Sequence, residues 1–442
     1  MVKVITYGTY DMLHYGHVRL LERAKALGDY LIVGITSDSY DKTRGKINLQ
    51  QSLMERVEAV RATGIADEII IEEYEGQKID DIRRLDVDIF TVGSDWEGCF
   101  DYLNEYCKVI YLPRTMGVSS TEIREKKRSM RLGLVGDAQF LNKVWNETKF
   151  VNGIHVEALC SSNPDFMDKA AKKEISVITS DYDTLLSSVD AVYLRSKPKY
   201  HYEHIKKALE AGKNVLCESP LTLNRALSEE VIRDAEQKGL ILMEALKTAY
   251  ATAYCRMLLL VKGGKIGDLI SVSSTCTSIR EDNLANEWEW NNIHEWGPTA
   301  LLPILQLLGT DYQDCRAISH CRENGNDSYS KMDLVYKHAV GTMQIGDGFK
   351  AEGDLIISGS KGYIYVPAPW WKTDYFEVRY ENQTDNKRYF YQLDGEGIRY
   401  ELVSFARAIE HNTPINQIGN DVTIKISEIM EQYDRKENCI LI

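Results

Sequence analysis

The stretch VITYGTYDMLHYGHVRLLERAKALGDYLIVGITSD, residues 4–38, decides the fold of the first part of the chain. Its two apolar runs, VITYG and YLIVGIT, read as strands, and the residues from His17 to Leu27 between them follow a helical pattern. Strands joined through a helix predict a βαβ unit and a parallel sheet. Two histidines, His14 and His17, stand three positions apart at the expected start of this helix, with Gly16 between them.

The same alternation of strand and helix continues to about residue 125. Runs such as EIIIEE, DIFTVG and KVIYLP alternate with helical patterns, which predicts a doubly wound α/β domain. After the basic stretch REKKRSMR, a linker or the solvated end of a helix, the strand pattern restarts with RLGLVGD. Beyond residue 250, β-rich runs with period-2 alternation indicate a large, mostly antiparallel sheet. We predict an α/β fold with domains at 1–128, 129–250 and 251–442, the first two Rossmann-like and the third α+β.

The composition excludes some classes of function. The 442-residue chain has a formal net charge of −13, which disfavours nonspecific binding to nucleic acid. No apolar stretch approaches the ~20 residues of a membrane-spanning helix, and the N-terminus reads directly into a strand rather than a signal peptide. The nine cysteines form no CxxC pair, so we expect reduced thiols and no zinc site. These features predict a cytoplasmic protein with small-molecule partners, no nucleic acid and no membrane insertion.

The two histidines suit phosphate chemistry. Histidines at i and i+3 share one helix face, and their ring N–H groups can donate to a phosphate beside the free backbone donors of the helix start. Two incidental surface histidines or a metal-binding pair are the alternatives for so short a motif. Further along, RTMGVSSTEI places Arg114 before a predicted helix that begins with a Ser119–Glu122 capping box. An arginine at a helix start rich in hydroxyl groups predicts a second anion site.

Together, GTYDMLHYGH and RTMGVSSTEI resemble the nucleotidyltransferases with an HxGH motif, and within them the cytidylyltransferases that act on glycerol 3-phosphate. The resemblance implies transfer of CMP from CTP to a polyol phosphate, with Mg²⁺ bound to the CTP and no metal ligand among the protein side chains. It assigns catalytic roles to His14, His17, Lys46 and Arg114. It assigns substrate contacts to Thr9, Tyr10, Asp11, Arg56, Arg61, Lys78, Asp95, Trp96, Thr115, Ser119 and Ser120.

Alternatives stay open for several of these residues. Arg56 and Arg61 also suit a solvated helix face, and Trp96 also suits a core position. Ser94 stands where the resembled family often has an aspartate, which leaves the details of the acceptor open. The motifs therefore predict the chemistry but not the length of the polyol.

The segment GLVGDAQFL offers a degenerate dinucleotide fingerprint, Gly136-x-Ala138. A strand that simply ends in a glycine turn is the alternative. After the next predicted strand, Ser161 and Ser162 stand where an acidic residue would select NAD. These serines predict tolerance of, or preference for, the 2′-phosphate of NADP.

Two later segments, HYEHIKKALEAGKNVLCESPLTLN and HEWGPTALLPILQLLG, resemble the Gfo/Idh/MocA oxidoreductases, and the likeness covers about residues 131–430. The resemblance implies binding of NADP or NAD, but Ser219 replaces the usual lysine, and Glu295 and Thr299 replace the usual aspartate and histidine. Either the acid–base groups are rearranged or the domain is a binding or assembly module. The implied cofactor contacts are Gly136, Ala138, Ser161, Glu218 and Pro220. The second-site candidates are Lys247, His294, Glu295 and Thr299.

These observations lead to three functional hypotheses. The first is a cytidylyltransferase that converts glycerol 3-phosphate or a related polyol phosphate into a CDP-alcohol, which by family analogy feeds cell-surface polymer synthesis. The second adds a C-terminal reductase that makes the polyol phosphate from a keto-sugar phosphate. The third treats the C-terminal part as a non-catalytic module. Both resembled families commonly assemble, so a homo-oligomer is expected.

Overall fold

In the computed structural model, the chain divides into two compact units, residues 1–129 and 130–442. The structure describes the chain except for residues Met12, His14, 38–48, Gln50, Glu75, 114–129, Asn152, 280–291, Asn324, Gln392, 413–416 and the side chains of Asp95 and His411. Within these described residues, every helix is too short or too polar to cross a bilayer.

The first unit is built on a five-stranded parallel sheet. Its elements are β1 Lys3–Gly8, α1 Tyr15–Lys25, β2 Tyr30–Thr36, α2 Leu53–Ala62, β3 Glu68–Glu72, α3 Gln77–Leu85, β4 Ile89–Gly93 and β5 Lys108–Leu112, with 3₁₀ turns at Ser94–Trp96 and Asp101–Glu105. The strand order is β3-β2-β1-β4-β5, so the chain changes direction across the sheet between β1 and β4. In doubly wound sheets, ligands bind at the carboxyl ends of the strands beside this reversal.

Both faces of this sheet are buried, which explains why its strands read as continuous apolar runs. Leu31 of β2 lies in one buried cluster with Leu21 of α1. Phe90 of β4 lies in a second cluster with Ile82 of α3. The predicted parallel α/β architecture of the first unit is confirmed, and it exposes the carboxyl ends of β1 and β4 as the place for a site.

The second unit begins with a six-stranded parallel sheet. Its elements are β6 Met130–Val135, α4 Phe140–Thr148, β7 Ile154–Cys160, α5 Lys169–Glu174, β8 Val177–Thr179, α6 Tyr182–Ser188, β9 Ala191–Leu194, α7 His201–Glu210, β10 Asn214–Glu218, α8 Arg225–Lys238 and β11 Leu242–Ala245, with 3₁₀ turns at Pro164–Phe166, Pro198–Tyr200 and Lys247–Tyr250. The order β11-β10-β9-β6-β7-β8 is that of a dinucleotide-binding fold, with its reversal between β6 and β9.

A nine-stranded sheet follows in the same unit. Its elements are α9 Thr252–Lys262, β12 Leu269–Thr277, α10 Asn292–Leu308, β13 Asp314–Cys321, β14 Asp327–Val335, β15 Val340–Gly346, β16 Leu355–Gly359, β17 Tyr363–Val366, β18 Tyr375–Arg379, β19 Lys387–Phe390, α11 Ile398–His411, α12 Asn420–Asp434 and β20 Cys439–Leu441, with 3₁₀ turns at Trp370–Lys372, Gln383–Asp385 and Gly395–Gly397. Neighbouring strands are antiparallel except for the pairs β12–β15 and β13–β20. The predicted large, mostly antiparallel sheet is confirmed.

Helices from the C-terminal part connect the two sheets of the second unit. The helix α10 packs on the nine-stranded sheet, where the carbonyl of its Ala300 accepts a hydrogen bond from Ser274 Oγ at 2.6 Å. From α12, Thr423 Oγ1 donates to Glu244 Oε2 of β11 at 2.7 Å. These contacts place residues of the C-terminal helices at the carboxyl edge of the parallel sheet.

Candidate active sites

The loop after β1 carries the first candidate site. Tyr10 has a positive φ of 53°, and its side chain is 2% exposed. The ring lies back over Gly8, where an added Cβ would stand 2.9 Å from the ring carbons. A larger residue at Gly8 would therefore displace this tyrosine.

His17 lies in the first turn of α1, directly after this loop. Its ring meets the Tyr10 ring edge to face, with 5.5 Å between centroids. Backbone N–H groups in the first turn of a helix lack intrahelical partners, so an anion at this position meets both the imidazole and the helix start. His17 thus lies at the predicted helix start, and its role toward a phosphate stays a prediction.

Buried charges hold the same loop in place. Asp11 is 2% exposed and accepts a hydrogen bond from the Gln51 backbone N–H at 3.0 Å. Arg56 of α2 is fully buried, and its Nη1 donates to the carbonyls of Thr9 at 2.8 Å and Thr36 at 2.9 Å. The interpretation of Arg56 as part of a solvated helix face is wrong, because the guanidinium connects the ends of β1 and β2 inside the fold.

Arg61, on the same helix as Arg56, faces solvent instead. Its side chain is 60% exposed and pairs with Glu58 one turn earlier. Five positions along a helix place two side chains on different faces, so the burial of one does not extend to the other. The solvated alternative therefore describes Arg61 in this structure.

Replacing Arg56 by methionine should destabilise the first unit. The change keeps side-chain length but leaves two buried carbonyls without their donor, and we expect the free energy of unfolding to fall by about 2–3 kcal/mol. The matched control is Arg61→Met on the exposed face of the same helix, with an expected change within about 0.5 kcal/mol. Urea unfolding followed by circular dichroism measures both; equal losses would contradict the role given to Arg56.

Lys78 occupies a buried position near the carboxyl ends of β2 and β3. It is 7% exposed and pairs with the buried carboxylate of Glu72, and its ammonium lies 4.7 Å from the centre of the Tyr7 ring. Thr36 Oγ1 also donates to Glu72 Oε2 at 3.4 Å. Sequence reasoning missed Glu72, because a glutamate at the end of an apolar strand is typical of a solvated strand terminus.

The loop after β4 faces the loop after β1 across the reversal of strand order. Asp95 and Trp96 lie in its 3₁₀ turn, and Trp96 is 41% exposed, with its ring centroid 6.0 Å from that of Phe100. The core alternative for Trp96 is wrong, since this much of the indole is open to a ligand. His14, Lys46, Arg114, Thr115, Ser119 and Ser120 lie outside the described residues, so their roles stay predictions.

The second unit presents a glycine at its own strand reversal. Gly136 follows β6 with φ +136°, and a Cβ there would lie 2.4 Å from the carbonyl oxygen of Arg195 after β9. Ala138 stands two positions after Gly136, and its carbonyl accepts a hydrogen bond from the N–H of Leu141 at 3.0 Å as α4 begins. This loop, with a close backbone approach and a helix start, suits the pyrophosphate of a dinucleotide.

Asp137 between them joins the loop to the end of β7. Its carboxylate accepts hydrogen bonds from Ser161 Oγ at 2.6 Å, Ser162 Oγ at 2.7 Å and the Ser162 N–H at 2.8 Å. Burial raises the pKa of Asp137, but these hydrogen bonds outweigh it and hold the pKa below its ordinary value. The serines therefore contact a carboxylate, and the cofactor preference predicted from their sequence position stays a prediction.

A cavity of about 270 Å³ lies at the carboxyl ends of β9, β10 and β11. The predicted residues that line it are Glu218, Lys247, His294, Glu295 and Thr299, together with Ser219. Ser219 donates to the buried carboxylate of Glu244, so the residue at the usual lysine position is engaged in the fold. The Pro220 carbonyl lies 2.8 Å from Nδ1 of the buried His201, a structural contact.

Two proton-carrying groups in this cavity have atoms without partners among the described residues. Glu401 of α11 is 1% exposed, and its Oε2 has no hydrogen-bond partner among the described residues. Its Oε1 lies 3.2 Å from the Tyr193 hydroxyl. The same hydroxyl donates to Glu218 Oε1 at 2.5 Å. Burial first, and then the charge of Glu218, raise the pKa of Glu401 well above its ordinary value. His294 is 6% exposed, with Nε2 at 3.0 Å from Asp434 Oδ2 and Nδ1 without a partner in the described part.

Sequence reasoning missed Glu401. It lies in the amphipathic helix RYELVSFARAIEHN, where a single glutamate reads as a surface residue. Its neighbours in sequence, Tyr400 and Leu402, are both buried, so the helix is enclosed at this turn. The partners that give Glu401 its chemistry, Tyr193 and Glu218, come from strands about two hundred positions earlier.

Comparison with known proteins assigns the first unit. A cytidylyltransferase-like family model matches residues 5–126. The glycerol-3-phosphate cytidylyltransferase of Bacillus spizizenii is 49% identical over 130 residues, which cover 29% of this chain and 100% of the relative. The chain belongs to the cytidylyltransferase-like family. The resemblance of GTYDMLHYGH and RTMGVSSTEI to this family is thereby confirmed.

The second unit matches a different family. The model of an oxidoreductase family with an NAD-binding Rossmann fold covers residues 130–246 of this cytidylyltransferase-like chain. The dTDP-3,4-didehydro-2,6-dideoxy-alpha-D-glucose 3-reductase of Streptomyces violaceoruber is 32% identical over 157 residues, 35% of this chain and 46% of that protein. A solved 3-ketoreductase from Actinomadura kijaniata, in complex with NADP and TDP-benzene, superposes with a TM-score of 0.63 at 18% identity, over 71% of this chain and 99% of that one. This last likeness shows the fold.

Proposed function

We propose that the chain transfers CMP from CTP to glycerol 3-phosphate or a closely related polyol phosphate and releases pyrophosphate. The observation that carries the proposal is the 49% identity that spans the whole length of a glycerol-3-phosphate cytidylyltransferase. The placement of His17 in the first turn of α1, at the strand reversal, supports it.

The chemistry is a single displacement at phosphorus. An oxygen of the acceptor phosphate forms a bond to the α-phosphorus of CTP, and the bond from that phosphorus to the leaving pyrophosphate breaks. His17, with His14, Lys46 and Arg114, stabilises the negative charge that develops on the phosphoryl oxygens. CTP enters as its Mg²⁺ complex, in which the ion neutralises the triphosphate and the leaving group.

The remaining residues of the first unit position these groups. Arg56 and Asp11 fix the loop that carries Tyr10, and the exposed ring of Trp96 offers a stacking face to the nucleotide or acceptor. Thr115, Ser119 and Ser120 bind the triphosphate and cytidine, as the family resemblance implies. Binding energy is thereby used to align acceptor oxygen and α-phosphorus.

A substrate panel tests this proposal. The full chain is incubated with CTP and Mg²⁺ and with three- to six-carbon polyol phosphates in turn, and released pyrophosphate is measured against a reaction without acceptor. We expect acceptor-dependent release with glycerol 3-phosphate or one of its longer relatives. Release that ignores the acceptor, or no release with any of them, would overturn the proposal.

A second candidate function concerns the second unit: reduction of a small keto-sugar phosphate to the polyol phosphate that the first unit uses. The buried Glu401 favours this over a purely structural module, because one of its oxygens has no partner among the described residues and it lines a cavity at the carboxyl edge of a dinucleotide-type sheet. A reduced nicotinamide held by the Gly136 loop would supply the hydride to the carbonyl carbon. Glu401 gives its proton to the carbonyl oxygen, so the products are the alcohol, the oxidised nicotinamide and a carboxylate.

Asp137 should make the second unit prefer NAD over NADP. Its carboxylate lies against Ser161 and Ser162 at the end of β7, where it can accept from a ribose 2′-OH and repels a 2′-phosphate. We expect Asp137→Asn to shift the ratio of the NADPH to NADH dissociation constants about tenfold toward NADPH. Fluorescence titration of the bound nicotinamide measures this without turnover. Asp165→Asn, at a carboxylate 90% exposed, is the control, and a wild-type protein that prefers NADPH would contradict the role.

A further inference from the structure

Three lysines in the cavity of the second unit converge on one carboxylate. The ammonium groups of Lys143, Lys247 and Lys372 lie 2.9, 3.0 and 2.8 Å from the carboxylate oxygens of Glu396. Lys143 comes from α4, Lys247 from the turn after β11 and Lys372 from the turn before β18, so segments far apart in sequence build the cluster. Among the described residues, Glu396 is the one carboxylate within ion-pair distance of these three ammonium groups, so a single negative charge meets three positive charges.

Glu396 reaches the lysines through an unusual backbone. It has φ +55° and stands between Gly395 at φ +55° and Gly397 at φ +94°, directly before α11. Residues with a side chain rarely adopt this left-handed region. Burial raises the pKa of Glu396, but the lysines outweigh it and keep the carboxylate ionised. The side chain is still 34% exposed, so it can leave the lysines without unfolding its surroundings.

The cluster lies in the cavity that holds the proton donor. Lys143, Lys247, Lys372 and Glu396 line the same space of about 270 Å³ as Glu401. That volume is below the range of drug-sized ligand pockets and suits a small molecule. Trp296 adds a buried indole Nε1 that has no partner among the described residues and can donate to a ligand oxygen.

We propose that Lys143, Lys247 and Lys372 are the phosphate subsite for a small phosphorylated carbonyl compound, and that Glu396 occupies this subsite until the phosphate displaces it. A phosphate monoester carries about −1.5 to −2 charges near neutral pH, which matches the three ammonium groups better than one carboxylate does. The identification of the ligand as a carbonyl compound rests on the proposed reductase function, but the anion subsite does not.

The experiment reads the cavity directly. The full chain is labelled with fluorotryptophan. Trp296 and Trp371 line the cavity, and their fluorine NMR signals are assigned by substitution. The labelled protein is then titrated with dihydroxyacetone phosphate, inorganic phosphate or dihydroxyacetone. We expect both phosphates to shift these signals and dihydroxyacetone to have no effect. Lys372→Gln and Lys143→Gln should each weaken phosphate binding about tenfold, and Glu396→Gln should strengthen it about tenfold.

Lys149→Gln is the matched control, because this lysine lies over the Trp145 ring and pairs with Glu174, outside the cavity lining. Lys143 is 54% exposed, so its substitution keeps the test valid if another variant fails to fold. Phosphate binding that ignores the lysine substitutions, or that does not tighten in Glu396→Gln, would overturn the proposal. If the cluster of lysines and Glu396 only stabilised the fold, these variants would show a lower melting temperature and no change in phosphate binding.

The pyrophosphate of a bound dinucleotide is the other anion that the three lysines could bind. Titration with NAD⁺ separates the two, because we expect inorganic phosphate to bind the lysines equally well when NAD⁺ is saturating. Competition between them would assign the lysines to the cofactor and overturn the substrate subsite. Phosphate binding without any oxidation of reduced nicotinamide would leave the subsite in place and contradict only the proposed reduction.

Discussion

Replacing His17 by alanine should lower the rate of CMP transfer by about a hundredfold to a thousandfold. The imidazole lies in the first turn of α1 against the Tyr10 ring, and in the proposed reaction it donates to the phosphoryl oxygens as charge develops there. Because this donation strengthens in the transition state, we expect the loss mainly in kcat, with a smaller change in the KM for CTP. Initial rates of pyrophosphate release over a range of CTP concentrations measure both constants.

The control for this variant is His155→Ala. His155 is an exposed histidine of β7 that pairs with Glu157 in the second unit, so its loss should leave CMP transfer unchanged. Circular dichroism and the melting temperature establish that the His17 variant is folded. A folded His17→Ala protein that retains wild-type turnover would contradict the role of the imidazole, whatever the fate of the rest of the site.

Replacing Glu401 by glutamine should lower the rate of carbonyl reduction by the second unit by about a hundredfold or more. Glutamine keeps the shape of the side chain and its contact with Tyr193 but has no acidic proton. Burial first, and then the charge of Glu218, raise the pKa of Glu401 above its ordinary value, which favours the protonated form of this acid. The wild-type rate should therefore fall as the pH rises past this raised pKa, because the acid then loses the proton that it gives to the substrate. Absorbance of the reduced nicotinamide, with dihydroxyacetone phosphate as substrate, measures the rate.

A control variant and a measurement of cofactor binding accompany the Glu401→Gln experiment. Glu410→Gln changes an exposed residue of the same helix and should leave the reduction rate unaltered. Nicotinamide binding, followed by fluorescence, should remain within about twofold in Glu401→Gln, since in the proposed reduction the carboxyl acts on the substrate oxygen. Full reduction by Glu401→Gln together with its loss in His294→Gln would assign the proton to the histidine beside Asp434 and contradict the role of Glu401.

Patterns local in sequence predicted much of this molecule. The apolar runs of β1 and β2 and the helix between them follow directly from residues 4–38, and the restart at RLGLVGD correctly marked a second parallel sheet. The position of His17 could also be predicted, because a helix start and a motif lie within a few residues of each other in the sequence.

What the sequence could not supply are contacts between distant segments. The burial of Arg56 depends on carbonyls at Thr9 and Thr36, which no spacing rule connects to it. The environment of Ser161 could not be predicted either, because its hydroxyl donates a hydrogen bond to Asp137, which lies in another loop. The Lys143–Glu396 pair spans more than half of the chain. In each case the partner decides whether a charge binds a ligand or holds the fold.

The most direct test of the central claim is phosphorus NMR of the full chain with CTP, Mg²⁺ and glycerol 3-phosphate. Transfer of CMP predicts that the acceptor phosphate signal is replaced by the paired signals of a pyrophosphate diester, with an equal amount of inorganic pyrophosphate. Consumption of CTP to CMP with the glycerol 3-phosphate signal unchanged, or no consumption with any polyol phosphate, would contradict the account.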